Sequence, residues 1–141
     1  MCSDLRKLGV VPNKLFLISK VPQIPDYLIR HFIRGYFDGD GSIFSSHNTS
    51  YFKRNGIVKK YQYKIYAFSM LGTTEFLKDV IDFLPANHYS IRDTKTNEIK
   101  ELRISAKCEF NLLFDYLYND STICLERKYN KWLEIKSAFT K

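Results

Sequence analysis

Two rhythms of apolar residues alternate along the chain. Ile29, Phe32, Ile33, Tyr36 and Phe37 recur at i, i+3, i+4, i+7 and i+8, the spacing of one helical face. Pro25 suits the first turn of that helix, and Asp26 places an acid at its positive end. After Gly41 the period drops to two. "SIFSSHN" reads as a strand, "TSYFKRNGIV" as a turn region with Asn55-Gly56 at its tip, and "KKYQYKIYAFSM" as a second strand. Thr73 or Thr74 opens the next helix, "EFLKDVIDFL", and Pro85 closes it. "HYSIRD" and "IKELRISA" form another hairpin around "TKTNE". Two helices follow, "CEFNLLFDYLY" and "LERKYNKWLEIKSAF".

The order α-β-β-α-β-β-α-α predicts an α+β fold, with an antiparallel sheet covered by helices on one face and open on the other. Residues 1–25, punctuated by Gly9, Pro12, Pro22 and Pro25, read as a lead-in with a possible short helix over Ser3–Leu8, and residues 26–141 as one domain.

Pleat alternation assigns the sheet faces. With Ile43 inward, Ser42, Phe44, Ser46 and Asn48 point out on the first strand. On the second, Lys60, Gln62, Lys64 and Tyr66 are assigned outward, and Tyr61, Tyr63, Ile65 and Ala67 inward. On the fourth, Leu102, Ile104 and Ala106 face in, leaving Glu101, Arg103 and Ser105 outward. Such polar side chains suit base edges and phosphates, although any solvated sheet face has a similar composition. Lys53 and Arg54, at the hairpin tip, are placed to reach phosphates. Inward tyrosines argue against single-strand stacking on Tyr61 and Tyr63.

Composition narrows the partner. The 141 residues carry a net charge of +7 with 16% aromatic side chains; the aromatic content argues against disorder, and the charge suits a polyanion, most simply nucleic acid, or else serves solubility alone. No apolar run approaches a membrane span, and the N-terminus lacks a signal-peptide core, so no membrane partner is expected. Three widely spaced cysteines with no C-x-x-C pattern support neither a zinc site nor a disulfide framework and fit a reducing, cytoplasmic compartment. His31, His47 and His88 lack ligand spacing. Trp132, Leu133 and Phe139 read as core of the last helix.

The segment "FIRGYFDGDGSI", residues 32–43, carries the chemistry. Asp38 and Asp40 stand at the negative end of a helix dipole, where acids cost about 0.3–1 kcal/mol each. Gly35 and Gly39, four apart, lie on one face and admit close approach of another backbone. The pair of acids suits a divalent cation such as Mg2+, held by carboxylates and substrate phosphates. An ordinary Asp-Gly turn and a glycine-capped helix end remain open as readings. An EF-hand does not: the sixth position from Asp38 is Ile43, not glycine, and the twelfth is Thr49, not glutamate.

"IRGYFDGDG", residues 33–41, resembles the signature of the LAGLIDADG homing endonucleases. "HFIRGYFDGDGSI" is similar to the form seen in phage, bacterial and intein-borne members. Both acids and all three glycines are in register, and the resemblance extends over roughly residues 26–138. It implies an αββαββα fold whose sheet forms a saddle on duplex DNA, and Mg2+-dependent cleavage of both strands. Signature helices of two domains would pack through Ile33, Gly35, Tyr36 and Gly39. Asp40, with Gly39, would hold the divalent metal, while Asp38 would be structural. Arg127 or Lys128 would supply the basic group that assists catalysis. A water-positioning polar residue on the second strand finds no clear match between Ala67 and Leu71.

D-G-D-G occurs once, which is half a site. The resemblance therefore implies a homodimer joined through the signature helix, acting as a site-specific endonuclease on near-palindromic double-stranded DNA. Two other readings stay open. One is the C-terminal half of a longer two-motif nuclease; the other is a non-cleaving nucleic-acid-binding module, such as a regulator or intron-splicing factor.

Overall fold

The computed structural model describes residues 18–140. Ser3–Leu8 and Cys2 lie outside them. The elements are α1 (Asp26–Asp40), β1 (Ser42–Arg54), β2 (Ile57–Gly72), α2 (Thr74–Phe83), β3 (Ser90–Asp93), β4 (Lys100–Ile104), α3 (Lys107–Tyr118) and α4 (Glu126–Thr140). All strand pairs are antiparallel, in the spatial order β1-β2-β4-β3. The predicted α+β class and element order are those of the molecule.

The first hairpin is longer than its sequence pattern suggests. Its strands run unbroken to Arg54 and resume at Ile57, leaving a turn of two residues. Asn55 (φ 51°) and Gly56 (φ 79°) both adopt the left-handed conformation that a two-residue turn matched to strand twist demands. Because β4 pairs only with Phe68–Gly72, the distal part of β1 and β2 projects as a two-stranded arm.

Helices cover one face. Phe37 of α1 stacks on Phe68 of β2 with ring centres 4.4 Å apart. Ile33, Met70, Phe76, Leu77, Leu102, Ile104 and Leu117 are excluded from solvent around that contact. Thr73 caps α2, accepting a hydrogen bond from the Phe76 N–H at 3.3 Å. The residues just before α1 lie against α2: the Val21 N–H donates to Asp79 at 2.6 Å, and the Thr73 hydroxyl donates to the Ile18 carbonyl at 2.9 Å. In α4, Trp132 is core and Phe139 partly so, but Leu133 is exposed, because it lies off the buried stripe that runs through Trp132 and Ile135. No described helix is long and apolar enough to cross a membrane.

Candidate functional site

The two aspartates at the end of α1 have different surroundings. Asp38 is half-buried and fully engaged: Oδ1 accepts from the Tyr118 hydroxyl at 2.6 Å, and Oδ2 from the Leu125 N–H at 2.8 Å. It ties α1 to the end of α3 and the start of α4. Burial, and then the bond to Asp38, push the Tyr118 pKa well above its ordinary value. Asp40 is exposed, and among the described residues nothing hydrogen-bonds or ion-pairs with it. Its charge is felt by Tyr36, whose pKa is pushed up to about 12 by burial and by Asp40, and whose hydroxyl donates to the Leu71 carbonyl at 2.8 Å.

What lets acids sit at a helix C-terminus here is Lys128. Its buried ammonium donates to the carbonyls of Phe37, Asp38 (3.0 Å) and Gly41, and lies 4.6 Å from the centre of the Phe37 ring. Burial draws its pKa down, the Asp38 charge opposes that, Arg127 adds to it, and Asp40 opposes it. Three carbonyl acceptors require three N–H donors, so the side chain is held as an ammonium. It is a cap on the negative end of α1. With all its donors engaged, Lys128 has no N–H free for a substrate. Arg127 differs: it is exposed and lines a groove of about 260 Å3 with Gly41, Ser42, Ile43, Lys128 and Lys131. Gly41 is required by close approach, since a Cβ there would lie 2.2 Å from the Phe37 ring.

The residues named for the helix interface separate into two groups. Ile33 and Tyr36 are buried in the core of this domain, because the apolar stripe of α1 faces the sheet and α2. Gly35 and Gly39 lie on the opposite, exposed side with Tyr27 and Leu28, and a Cβ on either glycine would meet nothing within 4 Å. Nothing in the domain's own packing explains these glycines, which cost about 1 kcal/mol each relative to alanine inside a helix.

Strand register corrects one sheet assignment. Residues directly opposite in an antiparallel pair share a face. Ala67 is opposite Phe44, Ile65 opposite Ser46, and Tyr63 opposite Asn48, so this set of β2 belongs to the open face. Lys60, Gln62, Lys64 and Tyr66 share the helix side with Phe68 and Met70, and the Tyr66 ring packs edge-on against Phe139 at 5.0 Å. The expectation erred by fixing the phase on Ile65 and Ala67. The assignments on β1 and β4 agree with the register: Ser42 pairs with Ser69, Ser69 with Arg103, and the Arg103 guanidinium lies 4.8 Å from the centre of the Phe44 ring. That contact spans Ala67 and Ser69, which explains why both are buried on an otherwise open face. Ser105 follows β4 and is exposed. At the arm tip Arg54 is on the open face and Lys53 on the other.

Groups that the sequence pattern placed inward or passed over therefore lie on the open face: Lys59, Tyr61, Tyr63, Ile65 and Ser69. The signal that finds them is the phase set by Phe68 and Met70. At the far edge of the sheet, Glu109 accepts from the Asn87 and His88 N–H groups at 2.7 and 2.8 Å and from the His88 ring at 2.9 Å. It thereby fixes the turn beside a groove containing Ser90, Arg92 and Arg103. No group of three or more metal-binding side chains comes together among the described residues. The exposed Asp40 carboxylate has the hard-oxygen chemistry of a Mg2+ ligand, a cation typically held by one or two carboxylates together with phosphates.

No family model and no curated protein sequence matches the chain. Solved structures do. The homing endonuclease I-TnaI aligns with TM-score 0.54 at 14% identity over 75% of this chain and 69% of its own. I-CvuI, in complex with the I-CreI target in the presence of Mg with the DNA not cleaved, aligns with TM-score 0.53 at 15% identity over 79% of this chain and 66% of its own. The group I intron-encoded homing endonuclease I-CeuI, complexed with DNA, aligns with TM-score 0.57 at 15% identity over 96% of this chain and 67% of its own. The chain thus spans about two thirds of each of these neighbours. Helices on one side, an open curled sheet on the other, and the glycine-acid helix leading into β1 together make this the fold of the LAGLIDADG homing endonucleases.

Proposed function

We propose that the chain is a site-specific, divalent-metal-dependent DNA endonuclease that acts as a homodimer through α1. The observation that carries this reading is the contrast between the two acids. Asp38 is consumed by structure, whereas Asp40, next in sequence to the Gly41 that lines the groove of Arg127 and Lys131, has no hydrogen-bond or ion-pair partner among the described residues. A carboxylate kept unpaired at the negative end of a helix invites a cation. A divalent cation held there would supply Lewis-acid chemistry, polarisation of the phosphodiester and activation of water.

This chain's own residues do the rest. Asp40 and the Gly39 carbonyl would hold one share of the cation. Arg127 and Lys131 would bind a phosphate of the duplex, and Lys128 keeps the end of α1 in place. The open sheet face carries the duplex. Gly35 and Gly39 let a second α1 approach closely, bringing two Asp40 side chains together.

Asp40→Asn tests the reading. It preserves shape and removes the charge. With Mg2+ and a pool of duplex targets, wild type is expected to cut both strands, and the variant to bind DNA as well or better while cleavage falls by orders of magnitude. Equal cleavage by the variant removes Asp40 from the chemistry. DNA binding without cleavage by the wild type converts the assignment to a binding module.

A further inference from the structure

Three consecutive rows on the open face of the arm pair Ser46 with Ile65, Asn48 with Tyr63, and Ser50 with Tyr61, flanked by Phe44–Ala67 on one side and by Phe52–Lys59 and Arg54–Ile57 at the tip. Within these three rows the β1 side is hydroxyl and amide, and the β2 side is apolar and aromatic. The two tyrosine rings stack along the strand at 5.9 Å between centres, inclined by 23°, and are exposed. No described helix covers them, and the chain's +7 charge suits a polyanion.

An A·T base pair presents the same division in the major groove: adenine offers an acceptor and a donor at N7 and N6, and thymine offers its C5 methyl group. Asn48 has the amide that pairs with adenine in two hydrogen bonds, and the ring of Tyr63, across the ribbon from it, is an apolar surface for a methyl. Same-face rows recur about every 6.8 Å along a strand, and base pairs about every 3.4 Å, so neighbouring rows meet alternate base pairs.

We infer that the Asn48–Tyr63 row selects an A·T pair in one orientation, adenine under β1 and thymine under β2, with Tyr61 extending the methyl-reading side. The inference rests on the duplex-binding reading above and names the sequence class that the face takes.

The test is selection of duplexes bound by the full chain from a randomised pool, without metal to prevent cutting, followed by replacement of thymine with uracil at enriched positions. Uracil lacks only the methyl. The expected result is an enriched A·T pair at which uracil weakens binding about three- to fivefold, the worth of one buried methyl. Tyr63→Ser should abolish that penalty and Tyr63→Phe keep it. Asn48→Ala should lower the preference for adenine at the same pair by about tenfold or more. Duplexes enriched without an A·T pair, a uracil duplex bound as tightly as its thymine parent, or a penalty that survives Tyr63→Ser would each overturn the inference while leaving the nuclease reading in place. Failure to bind any duplex would overturn both.

Discussion

At the scale of single residues, Lys128, Asp38 and Tyr118 form one device. An acid-bearing helix end is stabilised by an ammonium from α4 and clamped by bonds from α3 and the α3–α4 connection. Asp38→Asn leaves one acceptor oxygen where the carboxylate offers two, to the Tyr118 hydroxyl and the Leu125 N–H, and removes the charge from both bonds, and is expected to lower stability by about 1–3 kcal/mol in urea unfolding. The isosteric change at Asp40 is expected to be neutral or slightly stabilising. Tyr118→Phe should also destabilise, by removing a donor from Asp38. The pH dependence has a definite sign: a tyrosine whose pKa is raised by folding contributes stability that is complete below its unfolded value of 10.0 and is lost as pH rises beyond it. The gap between wild type and Tyr118→Phe should therefore be constant at neutral pH and shrink in unfolding measurements above pH 10. Glu109 works in the opposite direction. Burial raises its pKa, but the Asn87 and His88 bonds outweigh that and hold it below 4.5, so its contribution fades as pH falls through the acid range.

At the scale of elements, the sequence pattern is legible where one face is covered and misleading where none is. The helical spacing of Ile29, Ile33, Tyr36 and Phe37 is read directly into a buried face. β2 is different. Only its second half lies beneath helices, so Lys60, Gln62 and Lys64 are polar because the arm projects past the helical layer, not because they face the open side. Tyr61, Tyr63 and Ile65 look like core to a period-two rule but are exposed or half-exposed, and only pairing with β1 settles their face. The role of Lys128 was equally illegible, since a residue 87 positions beyond Gly41 in sequence provides the cap. The outer face of α1 has an expected behaviour of its own. Gly35→Ala removes a helix-weakening glycine at a site with open space around it, so the isolated domain should gain about 0.5–1 kcal/mol. The same change should weaken self-association, measured by sedimentation. A stabilised protein whose association is undiminished would show that α1 is not the contact between copies.

At the scale of the whole molecule, charge and shape make different statements. The +7 charge predicts salt-sensitive affinity for duplex DNA but not the face that binds it. On the proposed reading that face is the open one, where the register places Arg54, Lys59 and Arg103, while Lys60 and Lys64 share the helix side. The triple change Arg54→Ala, Lys59→Ala, Arg103→Ala is expected to weaken binding and to flatten the dependence of log affinity on log salt by about 0.9 for each phosphate no longer neutralised. The double change Lys60→Ala, Lys64→Ala should have a smaller effect on both. An inverted ranking in filter-binding titrations would place the duplex on the wrong side of the sheet.

On the proposed reading, two copies of this domain, each contributing Asp40, cut duplex DNA at one class of site. The decisive measurement is sequencing of the ends released from a randomised duplex library incubated with the wild-type chain and Mg2+, against the Asp40→Asn chain as background. Paired breaks on opposite strands within a near-palindromic sequence are expected with wild type and not with Asp40→Asn. Ends equally abundant with both chains, or no ends above background from a wild-type chain shown to be dimeric on DNA, would contradict that reading.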